Sequence, residues 1–149
     1  MPAKFEKRGI AFQYPDNWTL EEEEVQVGRG SVTVYGPSGA FWSVTVHPQE
    51  VDPNDVARAA VDAMKDEYAE IDTERAAETI AGHQMIGYDL SFYCLDLTST
   101  ACVRSLRTGR ATYTVFCQAE DRDYATLQAV FQAMTASLLY AVGDAGARD

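Results

Sequence analysis

The sequence predicts an α+β domain in which an antiparallel β-sheet is packed between α-helices. Three observations carry that expectation. Apolar residues alternate in short runs, as at Ile10, Phe12 and Tyr14 or at Trp42, Val44 and Val46, which is the period of strands with one buried face. Two other segments, near residues 52–68 and 121–140, carry apolar residues at helical spacing. A helix with one apolar stripe must bury it against another element, and the order of strands, helix, strands and closing helix supplies a sheet for that purpose.

The first strand, Ile10 to Tyr14, stops where Pro15 removes a backbone donor and fixes φ. Tyr14-Pro15-Asp16-Asn17 is a turn, and Trp18 and Leu20 resume the alternation beyond it. Trp18 is expected to plug the end of the core, where truncating such a ring costs about 3 to 5 kcal/mol. Val25 and Val27 lead through Gly28-Arg29-Gly30 to Val32 and Val34, a hairpin. Gly36-Pro37-Ser38-Gly39 is a second turn before the strand that ends at Pro48.

Asp52-Pro53-Asn54-Asp55 reads as a helix start, with a capping carboxylate, proline at the first helical position and an acid in the first turn. Val56, Ala60, Met64 and Tyr68 form its apolar stripe, with Ala57 and Val61 beside it. Strands are expected near residues 71–80, 84–97, 101–107 and 111–119, with Gly82 and Gly109 in turns. Tyr124, Leu127, Phe131, Met134 and Leu138 mark the closing helix, which is expected to end near Tyr140. The whole chain, 1–149, reads as one domain with its ordered core over about 5–140 and a frayed tail over 141–149.

Composition narrows the function. Twelve Lys and Arg against 23 Asp and Glu give a net charge of −11, which repels a phosphate backbone and argues against nucleic acid as a partner. No apolar run follows the charged N-terminal residues, and uninterrupted apolar stretches are short. A leader and a membrane span are therefore not expected, and the reading is of a soluble, cytoplasmic protein.

The stretch GIAFQYPDNW, residues 9–18, resembles the N-terminal signature of the Mog/PsbP-like superfamily, in which a strand ends in Tyr-Pro and a tryptophan follows shortly after. FQAMTASLL, residues 131–139, is similar to the closing helix of that superfamily. The resemblance implies an αβα sandwich and a binding or assembly role; no cofactor is expected. The matching positions, Tyr14, Pro15, Trp18, Phe131, Ser137 and Leu138, are ones that build the fold.

The residues themselves offer little chemistry. Gly28-Arg29-Gly30 leads into a strand, not the helix N-terminus that a phosphate cradle needs. His47 and His83 lie in different elements, so no metal site is expected. Cys94, Cys102 and Cys117 are odd in number and lack CxxC spacing. A turn at Gly109-Arg110 places Cys102 opposite Cys117, and a turn centred on Thr98 places Cys94 opposite Cys102, a row of three thiols read as core packing. Arg104 shares the face of Cys102 and Leu106, and either reaches the rim or sits in a cleft under a helix where an anionic group is held.

The function expected is therefore that of a non-enzymatic protein-binding or assembly module, a monomer or weak homo-oligomer. Glu21, Glu22, Glu23 and Glu24, with Tyr35 and Phe41, are the candidate contact surface for another, possibly basic, protein. The alternative is a small-molecule pocket between sheet and helix, or a thiol-dependent enzyme with His83 as the base.

Overall fold

Ile10 and Phe12 do bury their side chains, and the backbone turns at Pro15, whose carbonyl accepts the Trp18 amide at 3.0 Å. The computed structural model describes residues 2–7, 9–26 and 29–146, and the side chains of all of these except 24–26, 29 and 143–146. Its strands are β1 (Pro2–Lys7), β2 (Ile10–Pro15), β3 (Thr19–Gln26), β4 (Arg29–Tyr35), β5 (Phe41–Pro48), β6 (Ile71–Ile80), β7 (His83–Cys94), β8 (Leu97–Arg107) and β9 (Ala111–Glu120). The helices are α1 (Pro53–Glu67) and α2 (Asp121–Gly146). A single 3-10 turn, Pro37–Gly39, joins β4 to β5.

Strands β3 to β9 form one antiparallel sheet in the order β3-β4-β5-β9-β8-β7-β6, and β1 pairs with β2 as a separate ribbon. One face of the sheet is closed by α2 together with the ribbon. Val32, Val34, Trp42 and Val44 are fully buried there with Phe12, Met134, Leu138 and Leu139. The Trp42 indole donates to Thr135 Oγ1 at 3.0 Å, and the Gln13 amide donates to Ser137 Oγ at 2.9 Å, tying sheet and ribbon to α2. On the other face α1 sets Val61 against Leu90, Phe92, Ala101 and Val103. The fold class read from the sequence is thus the observed one, helices on both faces of an antiparallel sheet.

Trp18 is 8% exposed and meets the Phe131 ring edge-on at 6.1 Å. Gly36 lies directly beneath it: a Cβ added there would stand 2.8 Å from the indole. Gly36 has extended backbone (φ −102°, ψ −168°), so it is glycine because of this close approach and not because of its dihedrals.

Several boundaries differ from expectation. The strand β1 was not foreseen, because PAKFEK carries a single buried side chain, Phe5. In α1 the cap is as expected, with Asp52 Oδ1 accepting the Asn54 amide at 2.8 Å, but the buried centre of the stripe is Ala57 and Val61, and Tyr68 is the C-cap. The turn of the β3–β4 hairpin, with Val27 and Gly28, falls outside the described residues. α2 does not fray at 141: it continues to Gly146, and Val142 is buried in the main core.

Over Asp121–Val142 α2 is long and apolar enough to cross a bilayer, with a mean hydropathy of 1.3, so the argument from short apolar runs does not hold for this helix. Its apolar stripe (Leu127, Phe131, Met134, Leu138) is packed on the sheet, and 33% of that window is buried.

The largest correction concerns the hairpin between β7 and β8. It turns at Leu95 and Asp96, both with positive φ (53° and 64°), and not around Thr98. Cys94 therefore pairs with Leu97, while Asp89 pairs with Cys102. The row of three thiols does not exist, since Cys94 packs on the α1 face and Cys102 and Cys117 on the α2 face.

Candidate functional site

Two places concentrate functional groups, one on each face of the sheet. On the α1 face the helix lies over β6 to β9 and leaves the β3–β4–β5 half open. The side chains that β4 and β5 present there, Ser31, Thr33, Tyr35, Phe41, Ser43, Thr45 and His47, are exposed or half-buried, whereas those they present to the α2 face are buried. Tyr35 pairs with Phe41 across the ladder, with rings 6.2 Å apart, and Phe41 stacks on Phe116 at 5.8 Å and 18°. Tyr35 and Phe41 thus stand on the open half, and Phe116, on β9 and packed with the cluster under α1, ends the run at the covered edge.

The four glutamates divide between the two faces. Glu21 and Glu23 oppose Thr33 and Ser31, so they share the aromatic face and are exposed. Glu22 points the other way and accepts from Lys7 Nζ at 2.9 Å. The side chain of Glu24 is outside the described residues. Tyr35 is 42% exposed, while Phe41, expected to be exposed, is half-buried because the neighbouring rings cover its flanks.

His47 is on the same face, with Nε2 3.1 Å from Thr114 Oγ1, and burial lowers its pKa below the ordinary 6.5.

The α2 face holds a cleft of about 220 Å³ between the helix and strands β6 to β9. That is smaller than the roughly 300–1,000 Å³ of typical small-molecule pockets. Arg104 is its centre and is 8% exposed. Its Nε donates to Glu78 Oε1 at 2.7 Å, Nη2 to Asp89 Oδ1 at 2.7 Å, and Nη1 to the carbonyls of Tyr88 and Val103 at 3.0 Å each. Gly87 pairs with Arg104, and a Cβ there would run into the Val103 carbonyl.

Burial opposes the guanidinium's charge, but Cys102, Asp89 and Glu78 outweigh it and raise the pKa, so the group stays cationic. With four N–H groups engaged and two carboxylates beside it, Arg104 offers an incoming anion little. The cleft is real, but the anion-holding role considered for Arg104 is not supported.

Cys102 and Cys117 line the same cleft, directly opposed across β8 and β9, with sulfurs 3.6 Å apart. Cys117 is the more buried, 4% exposed, and keeps its proton; the Cys102 hydrogen bond, then burial, hold its pKa well up. Cys102 is shifted down: the hydrogen bond with Cys117 favours its thiolate, burial opposes, and the Arg104 charge adds to the lowering. Cys94, by contrast, accepts from the Tyr68 hydroxyl at 3.8 Å under α1.

His83, the base considered for a thiol enzyme, opens β7 six residues before Asp89, roughly 20 Å along the strand at about 3.4 Å per residue. His47 is on the opposite face. Among the described residues no three His, Cys, Asp or Glu side chains group to hold a metal ion.

No family model and no curated protein sequence matches the chain. Solved structures do. The solution structure of cyanobacterial PsbP (CyanoP) from Synechocystis sp. PCC 6803 aligns over 92% of this chain and 89% of that one, with a TM-score of 0.53 and 17% identity. The chain has the PsbP fold. A Pseudomonas aeruginosa protein of unknown function, PA94, aligns over 92% and 95% with a TM-score of 0.53 and 11% identity. A Bacteroides thetaiotaomicron protein aligns over 90% of this chain and 46% of its own, with a TM-score of 0.60 and 15% identity. At such identities the likeness concerns fold alone, and the PsbP-like architecture expected from residues 9–18 and 131–139 is the one observed.

Sequence reasoning placed Tyr35, Phe41, Glu21 and Glu23 in one candidate surface, and they do share a face. It did not find Phe116 as the third ring, nor Glu78 and Asp89 as the partners of Arg104. Each of those follows only from strand register across residues far apart in the chain.

Proposed function

We propose that this protein is a non-enzymatic binding or assembly module that docks a basic protein segment on the open half of its sheet, over β3, β4 and β5. The observation that supports this most is the ring pair Tyr35 and Phe41 on the half of the sheet that α1 leaves open, backed by Phe116 at the covered edge on β9. Rigid aromatic side chains offer contact area at low entropic cost and are enriched at protein interfaces. Glu21 and Glu23 flank the rings, and the net charge of −11 steers a basic partner toward them. The hydroxyls of Ser31, Thr33, Ser43 and Thr45 lie between, suited to the polar contacts of a rim.

Site-specific photo-crosslinking in the source cells tests this. A photoreactive phenylalanine analogue at position 35 is expected to capture a partner through a Lys- and Arg-rich segment, and Glu21→Lys with Glu23→Lys is expected to weaken that adduct. The same analogue at Tyr93, 59% exposed and outside the docking face, serves as the control. Equal adducts from both positions, or none from position 35, would count against the docking face.

A further inference from the structure

We propose that Cys102 and Cys117 form an oxidisable cross-strand dithiol, which a hydroperoxide entering the cleft under α2 converts to a disulfide. The thiols lie on the opposite side of the sheet from the docking face, so this inference stands or falls independently of that reading.

Geometry carries it. The two residues are paired in the register of β8 and β9, and their sulfurs already touch at 3.6 Å. Directly opposed side chains in an antiparallel pair have Cβ atoms about 4.5–5.5 Å apart, and a disulfide needs about 3.5–4.5 Å. Closure therefore asks for rotation about χ1 and a small approach of two strands, without moving either from its register. The small approach leaves the bond under strain, and strained disulfides are the readily reduced ones.

Access and polarity fit as well. Both thiols line the cleft, Cys102 half-buried and Cys117 buried. The charges facing Cys102 come from β8 (Arg104), β7 (Asp89) and β6 (Glu78), with the Tyr124 hydroxyl on α2. Arg104 is the cation among them, held in place by its two carboxylates. The pair thus divides into an attacking sulfur, Cys102, and a resolving one, Cys117.

The steps balance. The Cys102 thiolate attacks the terminal oxygen of the hydroperoxide; an S–O bond forms, the O–O bond breaks, and the leaving alkoxide or hydroxide takes a proton from water. Cys102 is then a sulfenic acid. Cys117 gives up its proton as its sulfur attacks Cys102 Sγ; the S–S bond forms, the S–O bond breaks, and hydroxide leaves with that proton as water. The two thiols lose two electrons, the hydroperoxide gains them, and a small dithiol reductant restores the starting state.

The full-length Cys94→Ser protein treated with hydrogen peroxide tests this. After denaturing alkylation, tryptic peptides containing Cys102 and Cys117 are expected to be joined, and to separate on adding dithiothreitol. In a Cys94→Ser/Cys117→Ser variant a dimedone adduct is expected on Cys102. In Cys94→Ser/Cys102→Ser, oxidation of Cys117 is expected to slow on the order of tenfold or more, because the accessible nucleophile is gone. Two alkylated, unjoined thiols after treatment of the Cys94→Ser protein would overturn the proposal, and so would unslowed oxidation of Cys117 without Cys102.

Discussion

The contact between Trp18 and Gly36 sets a definite cost on one added methyl group. A Cβ at position 36 would stand 2.8, 2.8 and 2.9 Å from three indole carbons. Ordinary carbon contacts are about 3.5–4.0 Å, so the overlap is at least roughly 0.6 Å on a rigid ring. The ring cannot swing clear without leaving Phe131, which it meets edge-on under α2. Overpacking of this kind costs about 1–3 kcal/mol, and the lost freedom of an unfolded glycine returns about 0.4–1 kcal/mol.

Gly36→Ala is therefore expected to destabilise by about 1–2 kcal/mol, a fall in Tm of roughly 2–8 °C for a chain of this size. Urea unfolding followed by circular dichroism measures it as a shift in midpoint at constant slope. In a Trp18→Leu background the penalty should shrink to within about 0.5 kcal/mol, because the flexible side chain yields. An unchanged midpoint for Gly36→Ala, or the same cost with and without the indole, would refute the reasoning.

Three further outcomes follow from the same structure. Replacing Glu78 and Asp89 together by Gln and Asn leaves a buried cation short of charge and should cost about 2–3 kcal/mol, whereas Arg104→Met releases two part-exposed carboxylates to water and should cost about 1–2 kcal/mol; denaturant melts that reverse this order would contradict the account. Leu95 and Asp96 hold left-handed backbone without glycine, so Leu95→Asn with Asp96→Gly should raise stability by about 1–2 kcal/mol, and a loss on thermal melting would mean a different turn. His47 has a pKa below 6.5 in the fold, so the unfolded chain binds more protons near that pH: its contribution is fully present above 6.5 and is lost as pH falls toward the folded value. His47→Gln should flatten that acid limb, and unchanged steepness between pH 7 and 5 in melts at stepped pH would count against it.

How much of this was legible depends on whether a feature is local. The turn at Pro15, the cap at Asp52 and the alternation of Trp42, Val44 and Val46 are written in neighbouring residues, and each is where it was expected. Cys102 opposite Cys117 was legible because Gly109 and Arg110 mark the turn between them. Leu95-Asp96 carries no such mark, as leucine is rarely found at positive φ, so the β7–β8 register was misjudged and Cys94 misplaced with it.

The candidate sites were less legible than the fold. Arg104 meets Glu78 and Asp89 only because three strands align and Gly87 leaves the ladder unobstructed. Likewise, β1 buries a single side chain, Phe5, and its place is fixed by pairing with β2 and not by its own pattern.

Hydroxyl-radical footprinting of the protein in lysate of its source cells, compared with the purified chain, tests the docking face most directly. Labelling of Tyr35, Phe41 and Phe116 is predicted to fall together in lysate while Tyr93 and Tyr140 label equally in both. Unchanged labelling of the three rings, or protection confined to Tyr93 and Tyr140, would contradict it.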